Sequence, residues 1–360
     1  MKVDLLGNAR TAAAIAGKLR VDLYSDTNSK PTAGMRQAMA AAECGNEQAL
    51  EDPTTNALQE RVAEMLGKEA AVFLPSGTMC NEIAYRVWAR QGDAIVMDKT
   101  GHALLYETGG PAALSGLMIT AINSPHGIFT GADVRSAVAN PGRHSPRPKI
   151  VNIENTCNVG GGRIWPLATI EDVAKTAHDL DIYAHMDGAR LMNAVVESNH
   201  KPSDFTAAVD SVWMDFSKGL GCPIGGVLAG PADFIDEAFR IKHQFGGALR
   251  QSGLVTSACL YALDHHVERL RDDHENARHL HAGLRDIKGV TVQNDVCETN
   301  LVFFDVSGTK KDARDIARKL LERGIRIGAQ TETRMRAVTH LDVSRADIEL
   351  TLSALREILA

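Results

Sequence analysis

Strand-like and helix-like segments alternate along most of this 360-residue chain, and that alternation restricts its fold more than any other feature. TNALQERVAEMLGKE carries apolar residues at helical spacing, whereas the following AAVFLP is typical of a short buried strand. Three later strand segments, PKIVNIENT, IYAHMDGAR and SVWMDFSKG, collect polar residues at their carboxyl ends. The alternation predicts an α/β fold with a mostly parallel sheet, and sheets of this kind bind ligands at the carboxyl ends of their strands.

The pattern changes near residue 235, where longer charged helical segments begin. ALDHHVERLRDDHENARHLHAGLRDI predicts one continuous amphipathic helix. We interpret its histidines as solvated helix residues, because their spacing repeats no metal-ligand pattern, and no metal site is predicted. Strand and helix patterns follow to the C-terminus. Since single cores stop growing at about 250–300 residues, we predict an N-terminal extension (1–20), a large domain (21–255) and a small α+β domain (256–360).

Composition excludes several classes of function. A net charge of −6 gives no general attraction to nucleic acid or to anionic membranes. No apolar run reaches the length of a membrane span, and charged residues interrupt the N-terminal segment, so a signal peptide is not expected. The six cysteines form no CxxC pair and are expected to be reduced thiols in so large a chain. We therefore expect a cytoplasmic protein.

A candidate phosphate site lies in FLPSGTMCN, residues 73–81, where a strand leads into a helix. Ser76, Gly77 and Thr78 would begin that helix, so backbone N–H groups and hydroxyls would face an anion there. Serine and threonine are also ordinary helix N-caps, and that alternative stays open.

Two charged residues end later strand segments. A buried carboxylate at Asp187 needs a cation, and a protonated pyridine nitrogen would supply one; an aspartate that caps the next helix is the alternative. Lys218 precedes a run of glycines, and a lysine that forms a Schiff base must lose its proton readily, which a low-dielectric, partly cationic cleft promotes. A solvated lysine at a strand end is the alternative. Together with the phosphate site, these residues match the phosphate, ring nitrogen and aldehyde of pyridoxal 5'-phosphate, the predicted cofactor.

The sequence resembles the low-specificity L-threonine aldolases, in the β-eliminating lyase group of fold-type-I pyridoxal phosphate enzymes. The resemblance follows, in order and along nearly the whole chain, the motifs DLYSDTNSKPTAGMRQAM, EDPT, PSGTMCN, YETGGPAALSG, IENTCN, DGARLMNA, FSKGLGCPIGG, GGALRQSG and AVTHLDVS. It implies a fold-type-I transferase fold and cleavage of L-β-hydroxy-α-amino acids to glycine and an aldehyde. It also implies self-association as a homotetramer built from dimers.

The resemblance implies roles for individual residues. Lys218 would hold the cofactor covalently, Asp187 would pair with its ring nitrogen and His102 would stack on its ring. The residues expected to bind the cofactor are Ser76, Gly77, Thr78, His102, Asp187, Arg190, Lys218 and Arg250. Planar bidentate donors suit a substrate carboxylate. The residues expected to hold the substrate are Ser25, Arg190 and Arg336, with Ala49 beside its side chain.

Two positions depart from the family pattern beside the substrate. The family usually has ENTH where this chain has ENTC, so Cys157 replaces an imidazole of pKa about 6.5 by a thiol of pKa about 8.5. The family usually has GDxxYGEDPT where this chain has GNEQALEDPT, so Ala49 replaces a tyrosine. Cys157 joins Lys218, His102 and Asp187 as a catalytic candidate. The alternative function keeps the cofactor but uses it for β-elimination, transamination or aldol chemistry on a different amino-acid donor.

Overall fold

The computed structural model describes residues 17–139 and 142–360. It divides into two compact units. The larger one is Ser29–Arg271, and the smaller one combines residues 17–28 with Asp272–Ala360. The limits predicted from the sequence place a boundary at 255, inside a helix that runs over Gly253–His265. The predicted N-terminal extension falls mostly outside the described residues.

Strands within the described residues are short and mostly five residues or fewer. They are β1 (Val21–Asp22), β2 (Ala70–Leu74), β3 (Ala94–Asp98), β4 (Met118–Ile122), β5 (Pro148–Glu154), β6 (Tyr183–Gly188), β7 (Ser211–Asp215), β8 (Gly226–Gly230), β9 (Thr291–Val292), β10 (Leu301–Asp305), β11 (Ile325–Arg326), β12 (Gly328–Ala329) and β13 (Arg334–Val338).

The α-helices alternate with these strands in the larger unit. They are α1 (Ala33–Ala40), α2 (Pro53–Leu66), α3 (Gly77–Trp88), α4 (His102–Leu105), α5 (Gly110–Ser115), α6 (Gly131–Ala137), α7 (Leu167–Asp179), α8 (Leu191–Ser198), α9 (Pro202–Thr206), α10 (Ala232–Gln244), α11 (Gly253–His265), α12 (Leu270–Arg285), α13 (Ala313–Glu322) and α14 (Arg345–Leu359). In the part of the chain described here, none of the helices has the length and apolar character needed to cross a membrane.

The larger unit is built on a seven-stranded sheet of order β2-β8-β7-β6-β5-β3-β4. The five neighbouring strands β4, β3, β5, β6 and β7 run parallel to one another, while β8 is antiparallel to both β2 and β7. The predicted α/β class with a mostly parallel sheet is therefore confirmed. Glu154 on β5 pairs in register with Asp187 on β6, so the polar ends of these strands meet at one sheet edge.

Helix α2 shows how the pattern of the sequence forms these elements. Its apolar stripe, Leu58, Val62 and Leu66, is fully buried, as the helical spacing predicts. Asp52 caps its start by accepting a hydrogen bond from the backbone N–H of Thr55 at 2.9 Å. Burial of each of these side chains stabilises the fold by about 1.5–3 kcal/mol, so the stripe fixes α2 against the core.

The prediction of a single long helix after residue 260 is wrong, because the chain forms two helices, α11 and α12. The break follows His265, where the ring Nδ1 of His266 lies 2.7 Å from the carbonyl oxygen of Leu220. That hydrogen bond holds His266 in the core, with only 5% of its surface exposed. The turn between the helices follows from this anchoring.

The prediction of solvated histidines is wrong for three of the five. His266, His274 and His281 are buried. Nε2 of His281 lies 2.8 Å from the carbonyl oxygen of Asn294. Burial of an imidazole is tolerated where its ring nitrogens find hydrogen-bond partners, which the helical pattern alone does not reveal.

The smaller unit is an α+β module, as the C-terminal pattern predicts. Its antiparallel sheet has the order β12-β13-β10-β9, and β1 pairs in parallel with β11. Apolar faces of α12, α13 and α14 contribute Leu280, Ile316 and Leu352 to one buried cluster with Val302 of β10. This cluster is separate from the core of the larger unit.

Candidate active site

Lys218 lies in the turn that follows β7. Its Nζ forms an ion pair with Oδ2 of Asp215. The other oxygen of that carboxylate, Oδ1, accepts hydrogen bonds from the backbone N–H and the Oγ of Ser217, each at 2.7 Å. Gly221 closes the turn through its N–H to the Lys218 carbonyl at 2.9 Å, with a φ of 75° that favours glycine. Asp215 is therefore held rigidly beside the amine.

The surroundings of Lys218 correct one expectation from the sequence. Burial and the charge of Arg190 lower the pKa of Lys218, but the charge and hydrogen bond of Asp215 and the charge of Asp187 together raise it above the ordinary value for lysine. Readiness to lose the proton is therefore not a property of this arrangement. The Asp215 carboxylate stabilises the ammonium form and fixes the position of Nζ.

Asp187 ends β6 and is 1% exposed. Its Oδ1 accepts a hydrogen bond from the N–H of Ala189 at 3.1 Å, and its Oδ2 accepts one from Nδ2 of Asn81 at 2.9 Å. Asp187 does not cap the next helix, as the alternative interpretation had it, because the N-cap of α8 is Arg190. Both described donors are uncharged, and a buried carboxylate is costly without a cation. The site therefore suits a protonated ring nitrogen.

Asn81, on α3, connects Asp187 to three other groups. Its Nδ2 also donates to Oε1 of Glu107 at 2.9 Å. Its Oδ1 accepts from Nε1 of Trp213 at 2.7 Å and lies 3.3 Å from Nε2 of His185. The residue is fully buried.

His102 begins α4 between two carboxylates. Its backbone N–H donates to Oε2 of Glu154 at 2.6 Å, and its Nδ1 lies 2.8 Å from Oε1 of Glu107. Burial lowers the pKa of His102, but the hydrogen bond to Glu107 and the charge of Asp187 raise it above its ordinary value overall. The imidazole therefore carries part of a positive charge near neutral pH.

The carboxyl groups around His102 retain protons more readily than usual. Burial and the charge of Asp187 raise the pKa of Glu154 to about 7. Burial also raises the pKa of Glu107, although its hydrogen bond with His102 offsets part of the effect. Burial, with the charge of Glu107, raises the pKa of nearby Glu82 to about 8. Among the described residues, no three His, Cys, Asp or Glu side chains are placed to hold a metal ion.

The first turn of α3 lies against Trp213. Ser76 caps the helix by accepting from the N–H of Met79 at 3.2 Å, while Thr78 is exposed in the same turn. A Cβ on Gly77 would come within 2.3 Å of the Trp213 ring, so only glycine allows this approach. Since Nζ of Lys218 lies 5.4 Å from the centre of a Trp213 ring, the indole connects the helix start to the lysine.

These features fit pyridoxal 5'-phosphate. The N-terminus of α3 is the kind of place that binds a phosphate. Asp187 has the buried carboxylate that a protonated ring nitrogen requires. Lys218 has the amine for the aldehyde, held in place by its ion pair with Asp215. The donor set therefore matches all three polar parts of the cofactor.

Cys157 is held in structural bonds. Its Sγ accepts from Nε1 of Trp165 at 3.1 Å and lies 3.3 Å from the carbonyl oxygen of Glu154. Its backbone pairs with Arg163, and 3% of its surface is exposed. The thiol lines a cavity of about 10 Å³ with Glu154, a space of about one water molecule.

Arg190 is 6% exposed, and its charge acts on Lys218, so it belongs to the same site. Ala49 and Arg250 form a second cluster in the larger unit. The guanidinium of Arg250 donates to Oε1 of Gln48 at 3.1 Å, and its carbonyl accepts from the N–H of Glu47 at 2.8 Å. None of the described contacts joins this cluster to Lys218.

Ser25 and Arg336 belong to the smaller unit. Oγ of Ser25 lies 2.8 Å from Oγ1 of Thr27. Arg336, on β13, donates from its guanidinium to the carbonyl oxygen of Tyr24 at 3.1 Å. Their expected roles toward a substrate stay predictions.

Sequence reasoning missed five residues of the site: Asn81, Glu107, Glu154, Trp213 and Asp215. Two of them carry a local signal, since Asp215 precedes Lys218 by one turn and Glu107 follows His102 closely in GHALLYE. The other contacts join distant segments, and no pattern in one sequence indicates them.

Sequence comparisons show which known proteins the chain is similar to. A sequence model described as beta-eliminating lyase matches residues 22–307. Low-specificity L-threonine aldolase 1 of Arabidopsis thaliana is 34% identical over 342 residues, covering 94% of this chain and 96% of the plant protein. The low specificity L-threonine aldolase of Escherichia coli K12 is 35% identical over 329 residues, covering 91% of this chain and 96% of the bacterial protein.

Solved structures agree on the fold. The threonine aldolase of Leishmania major superposes with a TM-score of 0.81 at 22% identity, covering 94% of this chain and 100% of that one. A serine palmitoyltransferase from Sphingomonas wittichii gives a TM-score of 0.71 at 19% identity, covering 99% and 98%. The fold-type-I transferase fold predicted from the sequence is therefore confirmed.

Proposed function

Because this chain belongs to the beta-eliminating lyase family, among the low-specificity L-threonine aldolases, we propose that it cleaves L-β-hydroxy-α-amino acids to glycine and an aldehyde. Threonine, allo-threonine and phenylserine represent the substrate class. The observation that carries the proposal is the placement of the Lys218–Asp215 pair and the buried Asp187 around Trp213 and the start of α3.

Pyridoxal 5'-phosphate, when bound, supplies an aldehyde for a covalent bond and a protonated ring that accepts the electrons released as the Cα–Cβ bond breaks. The residues proposed to hold it are Ser76, Gly77, Thr78 and Arg250 at the phosphate, Asp187 at the ring nitrogen, His102 at the ring face and Lys218 at the aldehyde, with Arg190 nearby.

Asp215 positions the lysine for this role. Its Oδ2 pairs with Nζ of Lys218, and Ser217 fixes its other oxygen. The carboxylate stabilises the ammonium form of Lys218 and holds Nζ in one place.

We assign the base for the substrate hydroxyl proton to His102 rather than to Cys157. Glu107 orients the imidazole through Nδ1 at 2.8 Å and stabilises its protonated form. The Cys157 thiol is instead engaged with the Trp165 indole at 3.1 Å. The alternative reaction suggested by Cys157 therefore has less support than aldol cleavage.

The substrate carboxylate is proposed to bind Arg190. A guanidinium offers two parallel N–H donors, which match a carboxylate better than an ammonium does. Arg190 is almost completely buried, so its charge is strong in this surrounding. Ala49, where the family usually has tyrosine, is proposed to leave room beside the substrate side chain.

A homotetramer built from dimers, located in the cytoplasm, completes the proposal. Leu50, next to Ala49, is 61% exposed, which supports cover by a second copy of the chain. The six free thiols support a reducing compartment. Sedimentation analysis should give a mass four times that of the chain.

The function is tested by offering the protein, loaded with pyridoxal 5'-phosphate, to L-threonine, L-allo-threonine and phenylserine. We expect equal amounts of glycine and aldehyde. Pyruvate and ammonia from a β-substituted alanine, without glycine, would support the alternative reaction. Release of no aldehyde from any of the three substrates would contradict the proposed function.

A further inference from the structure

The polar contacts behind Asp187 form one continuous chain. Nε1 of Trp88 donates to Oγ of Ser211 at 2.8 Å, and that Oγ lies 2.8 Å from Nδ1 of His185. Nε2 of His185 lies 3.3 Å from Oδ1 of Asn81. Asn81 then reaches Asp187.

The indole of Trp88 fixes one direction in this chain. An indole N–H can only donate, so Oγ of Ser211 accepts from Trp88. Burial lowers the pKa of His185 to about 3, so its ring is neutral and places no charge beside Asn81.

Trp213 provides an independent constraint at the other end. Its N–H donates to Asn81 at 2.7 Å, so the atom of Asn81 at this position must be the oxygen. The amide N–H groups of Asn81 therefore point the opposite way, one to Oδ2 of Asp187 and one to Oε1 of Glu107, each at 2.9 Å.

We propose that Asn81 is a positioning residue: the Trp213 indole orients its amide so that it donates to Asp187 and to the Glu107–His102 pair, which keeps Asp187 charged and aimed at the cofactor ring nitrogen. This inference rests on the proposed function. A hydrogen bond to a carboxylate favours its charged form. Asn81 thereby connects Asp187, the residue proposed for the ring nitrogen, through Glu107 to His102, the residue proposed for the ring face.

Several titratable groups interact with the charge of Asp187. Burial raises the pKa of Cys80 and of Tyr85 on α3 well above their ordinary values, so both stay neutral in the pH range of the test. The charged or titrating groups are His102 and Glu107 around α4, Glu154 on β5 and Lys218 after β7. Asn81 is itself uncharged, so its replacement changes hydrogen bonding to Asp187 without removing a charge.

The test measures the dissociation constant of pyridoxal 5'-phosphate by absorbance titration from about pH 6 to 9. N81L removes both donors at similar volume, and we expect at least tenfold weaker binding, the effect of losing about one hydrogen bond to a charged group. We also expect its affinity to fall further at low pH, where Asp187 now takes up a proton. Y85F is the matched control, because Tyr85 is buried on the same helix but bonds to Asn152 at 3.0 Å, and its affinity should be unchanged.

N81D covers the case in which N81L does not fold, which circular dichroism of the cofactor-free protein decides. Aspartate keeps the acceptor for Trp213 but places an oxygen opposite two carboxylates. We expect its affinity to be nearest to wild type at low pH, where the added carboxyl donates one hydrogen bond, and to fall as the pH rises.

Three outcomes decide the matter. Weaker binding with these pH trends in N81L or N81D, and none in Y85F, supports the role of Asn81. Wild-type affinity and pH profile in a folded N81D would overturn it while leaving the proposed function intact. A wild-type protein that binds no pyridoxal 5'-phosphate would overturn both.

Discussion

Two lysines in the larger unit pair with a buried carboxylate, yet the exposure of their side chains differs. Lys218 pairs with Asp215, and 14% of its side chain is exposed. Lys242, in the last turn of α10, pairs with Glu47 and has no exposed surface. The same pair of groups can serve chemistry where the amine opens to a ligand, and stability where it is enclosed.

The partners of Lys242 show what the enclosed pair does. Glu47 accepts from the N–H of Leu249 at 2.8 Å through its second oxygen. Its own N–H donates to the carbonyl of Arg250 at 2.8 Å. The pair therefore fastens residues 47–49 to residues 249–250. A buried lysine beside an acid is thus not by itself evidence of a reactive amine.

The largest expected effect comes from K218A. Loss of the nucleophilic amine should reduce aldehyde release by at least about a thousandfold and remove the visible absorbance of the covalently bound cofactor. Asp215 keeps its hydrogen bonds from Ser217 but loses its cation, so K218A should also lose stability, and circular dichroism should first show that it folds. Activity assays and absorbance spectra test this, and K218A with near wild-type turnover would reverse the assignment of the two lysines.

K242M should keep the covalent cofactor bond and lose stability. Removal of one partner of a buried ion pair costs about 3–5 kcal/mol, since the Glu47 carboxylate remains buried without its cation. Chemical denaturation should therefore detect a large loss of stability, while the covalent cofactor bond to Lys218 persists. The double variant E47L/K242M removes both charges and should regain much of the loss. Equal stability of K242M and wild type would show that the pair is not structural.

E82L extends the comparison to a buried acid. Both carboxyl oxygens of Glu82 find no hydrogen-bond partner among the described residues. Because burial raises its pKa from 4.5 to about 8, the folded protein binds one more proton than the unfolded chain between these values. Stability should therefore fall as the pH rises through this window, by up to about 1.4 kcal/mol per pH unit.

In E82L this part of the pH dependence should disappear. The free energy of unfolding of E82L relative to wild type should therefore be larger at pH 8 than at pH 5, and chemical denaturation at both pH values measures this difference. E64L, on the exposed face of α2, is the matched control and should leave the pH dependence unchanged. Identical pH profiles for E82L and wild type would contradict the assignment of a proton to Glu82.

The smallest effect is expected for Cys157, which resembles Lys242 in being engaged in structural bonds. C157S keeps a donor and an acceptor for Glu154 and Trp165, so aldol cleavage should stay within about threefold of wild type. C157A leaves the Trp165 indole unpaired and should cost about 1–3 kcal/mol of stability. A loss of activity of about a hundredfold or more in folded C157S would instead identify the thiol as the base.

Sequence periodicity predicted the elements that carry the site, for a physical reason. Buried parallel strands place their ends together, so the polar residues that end β5, β6 and β7 converge, as the paired register of Glu154 and Asp187 confirms. The side-chain geometry could not be read in this way. Asn81 bonds to a residue 106 positions away, and such contacts depend on tertiary packing.

Apart from the glycines that follow Lys218, little in its own segment separates it from Lys242. Only the structure reveals that the Lys218 side chain stays partly exposed while that of Lys242 is enclosed. Family resemblance selected Lys218 through the motif FSKGLGCPIGG. The continuous helix expected after residue 260 failed for a related reason, because the bond of His266 to Leu220 is a tertiary contact.

The central claim is tested most directly by borohydride reduction of the protein loaded with pyridoxal 5'-phosphate, followed by peptide mass spectrometry. Reduction makes the bond between cofactor and lysine permanent, so the modified residue can be identified. We predict a single pyridoxyl modification at Lys218 and none at Lys242. Modification of another lysine, or no modification in a protein that binds the cofactor, would contradict the account.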